Sequence, residues 1–216
     1  MMKTIMLASS LSLALLTLGC VGKIRYPKYY TLEFAPTLRR GASEPPKLGT
    51  VAVRPFGTSA YLRQGRIVYR EAPNQVGFYE YHRWAADPGA AVTTGVMESL
   101  RSSGLFSLVE RYDDHDKPEY LMSGRLERLD EIDYAGAVRV EARLSAHSVN
   151  LRTGASVWAG DATETSTVDS QTVNSVVAAM STAVQACVDQ LITSMQQKLA
   201  SAAPGSNGVV ASTREQ

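Results

Sequence analysis

The segment GAVRVEARLSAHSV, residues 136–149, carries the clearest structural signal in the chain. Five apolar residues occupy alternate positions along it: Val138, Val140, Ala142, Leu144 and Ala146. Since successive side chains of a strand point to opposite faces, this alternation predicts a strand with one buried and one solvated face. Such a strand is typical of an antiparallel sheet that is covered on one side only.

The flanking segments extend this strand into a sheet. Residues 150–154 (NLRTG) predict a hairpin loop, and residues 156–165 predict the returning strand. Similar short runs rich in aliphatic and aromatic residues predict further strands upstream, at residues 29–34, 48–55, 66–70, 77–84, 106–112 and 120–129.

Two helices are predicted between and after these strands. Asp87 is placed to cap a helix whose first position is Pro88, and Gly104 provides a left-handed stop at its end. Apolar residues recur at helical spacing over residues 172–199, which predicts a long helix with one buried stripe. Cys187 lies on that stripe and is interpreted as a small buried hydrophobic residue.

Together these elements predict an α+β fold, in which a mostly antiparallel sheet carries two helices packed on one face. The pattern indicates a single domain over residues 29–199. Residues 200–216 are small, polar and broken by Gly and Pro, so we expect a disordered tail.

Composition excludes several classes of protein. The 22 Lys and Arg residues nearly balance the 21 Asp and Glu residues, for a net charge of +1, so a polybasic nucleic-acid binder is excluded. Only 2 Cys and 3 His residues occur, which excludes a disulfide framework and argues against a zinc module. No run of eighteen consecutive apolar residues is present, so no ordinary membrane span is predicted.

The first nineteen residues are typical of a secretory signal. Lys3 provides a positive charge, residues 6–18 form a short apolar stretch, and the small residue Gly19 precedes Cys20. The segment LTLGC, residues 16–20, resembles a bacterial lipobox, although Thr17 occupies the position where Leu is most common. We therefore predict removal of residues 1–19 and acylation of the Cys20 thiol. The alternative is a plain signal peptide with an incidental cysteine.

Acylation would attach the protein to a membrane through a short tether, residues 20–28. Eight extended residues after Cys20 span about 25 Å, so the folded body should lie close to the bilayer. Position 21 is Val. In enteric-type bacteria an Asp at that position resembles an inner-membrane retention signal, so Val21 favours anchoring in the outer membrane.

Sequence motifs for catalysis were not found. The chain contains neither a GxSxG nor an HExxH motif, and the acidic cluster of residues 113–116 lacks the Gly and Glu positions of a calcium loop. A His pair formed by His82 and His147 is possible but has no supporting spacing. We therefore expect no enzymatic activity, no metal and no cofactor.

Aromatic residues are mixed with arginines over residues 61–84 and suggest a contact surface, since Tyr, Trp and Arg commonly anchor protein interfaces. The candidate partner-binding residues are Tyr61, Arg63, Tyr79, Tyr81 and Trp84. The alternative is that half of the aromatic and basic residues belong to the core and half to an ordinary sheet surface.

The order of several short segments resembles the ABC-type transport auxiliary lipoproteins, over roughly residues 29–199. They are the lipobox-like residues 16–20 followed by YYTL (29–32), VAVRP (51–55), AYLR (60–63), RIVYR (66–70) and YEYHRWA (79–85). The resemblance implies a non-enzymatic lipoprotein that accompanies MCE-type lipid transport systems. Its implied partners are MCE-domain proteins and a complex of ABC permease and ATPase, with homo-oligomers also possible.

The resemblance also implies that the protein docks the periplasmic transport assembly against the outer membrane. Two alternatives stay open. One is another envelope adaptor, such as a cell-wall synthase activator or an assembly factor. The other is a lipid-binding carrier or an enzyme, and a carrier would need a continuous apolar cavity between sheet and helices.

The lipobox generates a first test. The Cys20→Ser variant should leave the membrane fraction, because each buried methylene of an acyl chain contributes about 0.8 kcal/mol to membrane binding. Fractionation of cell envelopes followed by immunoblotting measures this release. An unchanged membrane fraction would show that Cys20 does not carry the anchor.

Overall fold

The computed structural model describes residues 25–34, 48–114, 117–134 and 136–202. These ranges contain nine strands and two α-helices. The elements are β1 (Lys28–Tyr30), β2 (Leu48–Val53), β3 (Gly57–Thr58), β4 (Arg66–Ala72), β5 (Gln75–Trp84), α1 (Pro88–Ser103), β6 (Phe106–Arg111), β7 (Tyr120–Ile132), β8 (Arg139–Asn150), β9 (Ser156–Thr167) and α2 (Val173–Ala202). A 3-10 turn, Leu62–Gln64, lies between β3 and β4.

Strand β7 lies at the centre of the sheet. One of its edges pairs antiparallel with β8 along the whole strand. The other edge pairs with three shorter strands in succession: β2 at residues 120–122, β3 at residues 125–126 and β4 at residues 130–132. Strand β7 thereby sets the positions of four neighbouring strands.

The sheet is mixed, and the predicted predominance of antiparallel pairing is wrong. Five of its eight strand pairings are parallel. The three antiparallel pairs, β4–β5, β7–β8 and β8–β9, join strands that are consecutive in the chain and linked by short connections. Alternation of apolar residues reports which face of a strand is buried and carries no information on the direction of its neighbours.

The predicted alternation of β8 is confirmed. Val140 and Leu144 are fully buried in the core, whereas Arg143 and His147 between and beyond them are exposed. Helix α2 packs over β8 and β9, and helix α1 packs beside α2 and against β6. Buried residues of the sheet and of both helices form one hydrophobic cluster, which confirms a single domain.

Helix α2 is a core helix. The side chain of Cys187 is fully buried, and its thiol donates to the carbonyl oxygens of Ala142 at 3.4 Å and Ala162 at 3.7 Å. Burial raises the pKa of this thiol to about 12, so Cys187 is protonated and unreactive at neutral pH. The interpretation of Cys187 as a small buried residue is confirmed.

Length and hydropathy alone would also allow α2 to cross a membrane. Its most apolar window of 18 residues has a mean hydropathy of 1.3, but 56% of that window is buried inside the protein. Because its apolar stripe is already covered by the sheet, α2 has the character of the core helix of a globular domain.

The predicted boundaries of α1 are confirmed. An Asp87 carboxylate oxygen accepts a hydrogen bond from the backbone N–H of Gly89 at 2.7 Å, and Pro88 is the first helical residue. The helix ends at Gly104, whose φ of 65° is left-handed and therefore favours glycine.

Two boundaries at the ends of the domain differ from the prediction. Strand β1 has only three residues, because it pairs with no more than the last three residues of β5. Helix α2 continues to Ala202, three residues into the predicted tail. The signal sequence with Cys20, and residues 203–216, lie outside the described residues.

Gly124 on β7 generates a second test, since it occupies a position with no space for a side chain. A Cβ atom there would meet the ring of Phe56 and would lie 2.7 Å from the carbonyl oxygen of Ser145. The Gly124→Ala variant should therefore lose about 1–3 kcal/mol of unfolding free energy, measured by urea denaturation.

Gly57 on β3 provides the matched control. A Cβ atom at Gly57 would lie 3.8 Å from the nearest atom, the Nη1 of Arg125, which is an ordinary contact. Equal denaturation midpoints for Gly57→Ala and Gly124→Ala would contradict the packing described for β7.

Candidate binding surface

The N-terminal segment enters the fold along the edge of the sheet formed by β5. Strand β1 pairs in parallel with residues 82–84 of β5, and the exposed side chains of Tyr26 and Tyr29 lie in this segment. Residue 25 is the fifth residue after Cys20, so the two are at most about 17 Å apart along an extended chain. The predicted site of acylation is therefore close to the β1–β5 edge.

Trp84 does not belong to the accessible surface. Its side chain is 5% exposed and is part of the hydrophobic core. Its position on β5 turns it towards the interior, where it contributes apolar area. The predicted role of Trp84 as an accessible partner contact is therefore wrong.

Tyr61 is anchored to a buried carboxylate on β7. Its hydroxyl donates to one oxygen of Asp130 at 2.9 Å, and Arg70 Nε donates to the other oxygen at 2.5 Å. The side chain of Asp130 is fully buried, and Arg128 approaches it at 3.6 Å. Burial and the adjacent carboxylate raise the pKa of Tyr61. These contacts give the Tyr61 hydroxyl a structural role, because a buried carboxylate needs hydrogen-bond donors.

Tyr79 makes an equivalent contact with the next residue of β7. Its hydroxyl donates to Glu131 at 2.7 Å, and Glu131 is 6% exposed. Burial is the main cause that raises the pKa of Glu131, and the Tyr79 hydrogen bond opposes it. The rings of Tyr69 and His82 pack against Tyr79, with centroids 5.2 and 5.6 Å from its ring. Tyr79 is thus held in place on both sides.

The buried pair Asp130–Glu131 was missed by the sequence analysis. The available signal was two consecutive carboxylates inside a run otherwise consistent with a strand. Neighbouring residues of a strand point to opposite faces of the sheet. At least one of the two carboxylates was therefore expected to lie on the face that packs against the protein.

Arg63 and Tyr81 have the more accessible side chains of the predicted set. Arg63 is exposed on the 3-10 turn, and its guanidinium donates to the carbonyl oxygen of Thr58 at 3.0 Å. Tyr81 is half-buried, and the guanidinium of Arg25 lies 5.9 Å from the centre of its ring. These two residues are available for contact with another molecule.

A basic pair lies on the same edge of the sheet. Arg66 of β4 and Arg83 of β5 are directly opposite each other in register. Within the described residues neither side chain forms a hydrogen bond or ion pair, and the Nε atom of Arg83 is buried without a partner. Both residues belong to the aromatic and basic stretch of residues 61–84, but only the strand register brings them together.

The proposed His pair does not form. His82 lies on β5 and shares a hydrogen bond with the Tyr30 hydroxyl. His147 lies on β8, which is separated from β5 by β4 and β7. Among the described residues, no group of three or more His, Cys, Asp or Glu side chains is arranged to hold a metal ion. Two residues of the acidic cluster, 115 and 116, lie outside that set.

Comparison with solved structures shows that the fold is shared. Protein XCC0632 from Xanthomonas campestris has a TM-score of 0.65 and 17% identity, covering 81% of this chain and 97% of that protein. An uncharacterized protein has a TM-score of 0.58 and 13% identity, covering 80% of this chain and 99% of its own. The PelC dodecamer subunit from Paraburkholderia phytofirmans matches less well, with a TM-score of 0.46, 17% identity and coverage of 71% and 93%.

The family model described as ABC-type transport auxiliary lipoprotein component matches residues 30–192. No curated protein matches the sequence. The matched region begins in β1 and ends in α2, so it includes nearly all of the described fold. The chain therefore belongs to the ABC-type transport auxiliary lipoprotein family, which confirms the resemblance inferred from its sequence. Membership indicates a lipoprotein of the cell envelope that is associated with an ABC transport system.

Glu131 generates a third test, through the pH dependence of stability. Its folded-state pKa lies above its unfolded value, so the unfolding free energy falls as pH rises from the ordinary carboxyl value through the folded one. The Glu131→Gln variant should therefore melt at a higher temperature than the native protein at pH 7, because glutamine still accepts the Tyr79 hydrogen bond without a buried charge.

The advantage of Glu131→Gln should disappear at about pH 3, where the native carboxyl is protonated in both states. Glu80, exposed on β5, supplies the control, since Glu80→Gln should leave the pH dependence unchanged. A Glu131→Gln protein that melts below the native protein at pH 7 would show that the charged carboxylate stabilises the fold.

Proposed function

We propose that the chain is a non-catalytic, membrane-anchored lipoprotein that docks the periplasmic assembly of an ABC/MCE-type lipid transport system at the outer membrane. The family match over residues 30–192 is the observation that carries this proposal. The anchor is an acylated Cys20, and the energy for transport comes from a separate ATPase. MCE-domain proteins and the permease complex are the partners.

The arrangement of the sheet suits an adaptor between a membrane and a polypeptide. Strands β4 and β2 pair with the same edge of β7, β4 at residues 130–132 and β2 at residues 120–122, and they continue to β1 and to β6 respectively. At about 3.3 Å per residue, the two pairing sites are separated by about 33 Å along β7. A membrane and a protein partner could therefore be engaged at different ends of one body.

Strand β6 supports a protein-facing role for the far end. In the described part of the chain it pairs only with β2, and Leu108 on it is 52% exposed. Unpaired edges and exposed aliphatic side chains are features that polypeptide partners use for binding.

The core favours docking over the alternative of an internal lipid carrier. A carrier would need an apolar cavity between sheet and helices, and here that interface contains fully buried side chains from β8 and α2: Leu144, Met180, Leu191 and Met195. Because these side chains occupy the space between the two layers, they support a role in which the surface makes the functional contacts.

Chemical crosslinking in cells followed by affinity purification tests the docking proposal. The native lipoprotein should recover MCE-domain proteins, and Arg63→Ala should lower that recovery about fivefold, as expected for loss of a moderate interface contact. Arg143→Ala is the matched control, because Arg143 is also an exposed arginine but lies on β8, on the opposite edge of β7 from β3 and the 3-10 turn that follows it. Recovery of peptidoglycan synthases in place of MCE proteins would overturn the proposal.

A further inference from the structure

We propose that the Arg66–Arg83 pair binds the phosphate of an anionic phospholipid and thereby seats the β1–β5 edge on the membrane surface. This inference rests on the proposed lipoprotein function and adds a second, non-covalent membrane contact to the anchor. We call the four residues Tyr26, Tyr29, Arg66 and Arg83 the headgroup patch.

The charge of the headgroup patch favours an anionic ligand. Arg66 and Arg83 are opposite each other on neighbouring antiparallel strands, where like charges repel. Further along β4, Arg70 is neutralised by Asp130, and Arg128 of β7 pairs with Glu141 at 2.6 Å. Among the described residues, no carboxylate forms an ion pair with Arg66 or Arg83. An anion bound between the two guanidinium groups would remove their repulsion.

The second argument is the unsatisfied Nε atom of Arg83. It is buried and has no hydrogen-bond acceptor, an arrangement that costs free energy. A phosphate group presents several oxygens and accepts paired hydrogen bonds from guanidinium groups. It could satisfy both arginines at once, which a single carbonyl oxygen could not.

The third argument is the pair of exposed tyrosines. Tyr29 is opposite Arg83 in the parallel β1–β5 pairing, so the two side chains lie on the same face of the sheet. Tyr29 is 62% exposed and Tyr26 is 78% exposed. Tyrosines prefer the boundary between lipid headgroups and acyl chains, where the ring is partly desolvated and the hydroxyl stays hydrated.

The position of the patch selects the phospholipid among possible phosphate ligands. Residue 25, next to Tyr26 of the patch, is at most about 17 Å from Cys20 along the chain, so the patch should lie near the bilayer. Anionic headgroups are concentrated there, and they attract basic residues within a Debye length of the surface.

Fluorescence quenching by brominated lipids tests this contact in the acylated protein. The Tyr26→Trp variant is purified from membranes and reconstituted into vesicles of brominated phosphatidylcholine, with or without about 30% brominated phosphatidylglycerol. The native Trp84 and Trp158 are buried, at 5% and 4% exposure, and give a constant background. We expect about twofold stronger quenching in the vesicles that contain phosphatidylglycerol.

Arginine variants identify the residues responsible. In the Tyr26→Trp protein, the further substitution Arg66→Gln, alone or together with Arg83→Gln, should abolish the effect of phosphatidylglycerol on quenching. The single substitution keeps the test valid if the double variant does not fold. Arg143→Gln, exposed on β8, should retain the effect. Equal quenching in both kinds of vesicle, or loss of the effect in Arg143→Gln, would overturn the proposal.

Two further measurements distinguish phospholipid binding from binding of free phosphate and from membrane attachment by the acyl chains. If about 10 mM inorganic phosphate with phosphatidylcholine vesicles changes the emission as much as phosphatidylglycerol does, the pair is a site for free phosphate and the membrane proposal is wrong. Sedimentation with phosphatidylcholine vesicles reports acylation alone. A protein that sediments without phosphatidylglycerol-dependent quenching overturns this inference and leaves the lipoprotein function intact.

Discussion

The hydrogen-bonding requirement of β7 organises the whole fold. A central strand must pair the backbone N–H and C=O groups on both of its edges. One edge of β7 is paired by β8 throughout, and the other by β2, β3 and β4 in succession. Strand β2 then positions β6, β4 positions β5, and β5 positions β1. Every other strand of the sheet is thus linked to this thirteen-residue strand directly or through one or two neighbouring strands.

The same strand determines which aromatic residues are free to bind other molecules. Its consecutive carboxylates, Asp130 and Glu131, hold the hydroxyl groups of Tyr61 and Tyr79. These tyrosines contribute hydrogen bonds to buried acids, and in that role they cannot be replaced by apolar residues without leaving a carboxylate less satisfied. Arg63 on the 3-10 turn and the tyrosines Tyr26 and Tyr29 near β1 hold no such buried carboxylate, and their side chains are exposed.

An acyl anchor and the headgroup patch would contribute to membrane binding in different ways. Acyl chains on Cys20 would hold the protein at a bilayer without specifying which face of the domain meets it. A phosphate contact at Arg66 and Arg83 would fix which face of the domain meets the membrane, since that pair lies at one edge of a rigid sheet.

Local patterns in the sequence determined both helices and every described strand except β3, as well as the caps of α1, the burial of Cys187 and the family. Each of these depends on residues within a few positions of one another, or on short segments in a fixed order. Only the tertiary structure decided that most pairings are parallel, that Trp84 is buried, and that Arg66 meets Arg83. Strand β5 is an example. In a regular strand Tyr79 and His82 would lie on opposite faces, but a register shift between β5 and β4 lets their rings pack together. Pairings between distant strands depend on which backbone edges remain open, and no single segment of sequence contains that information.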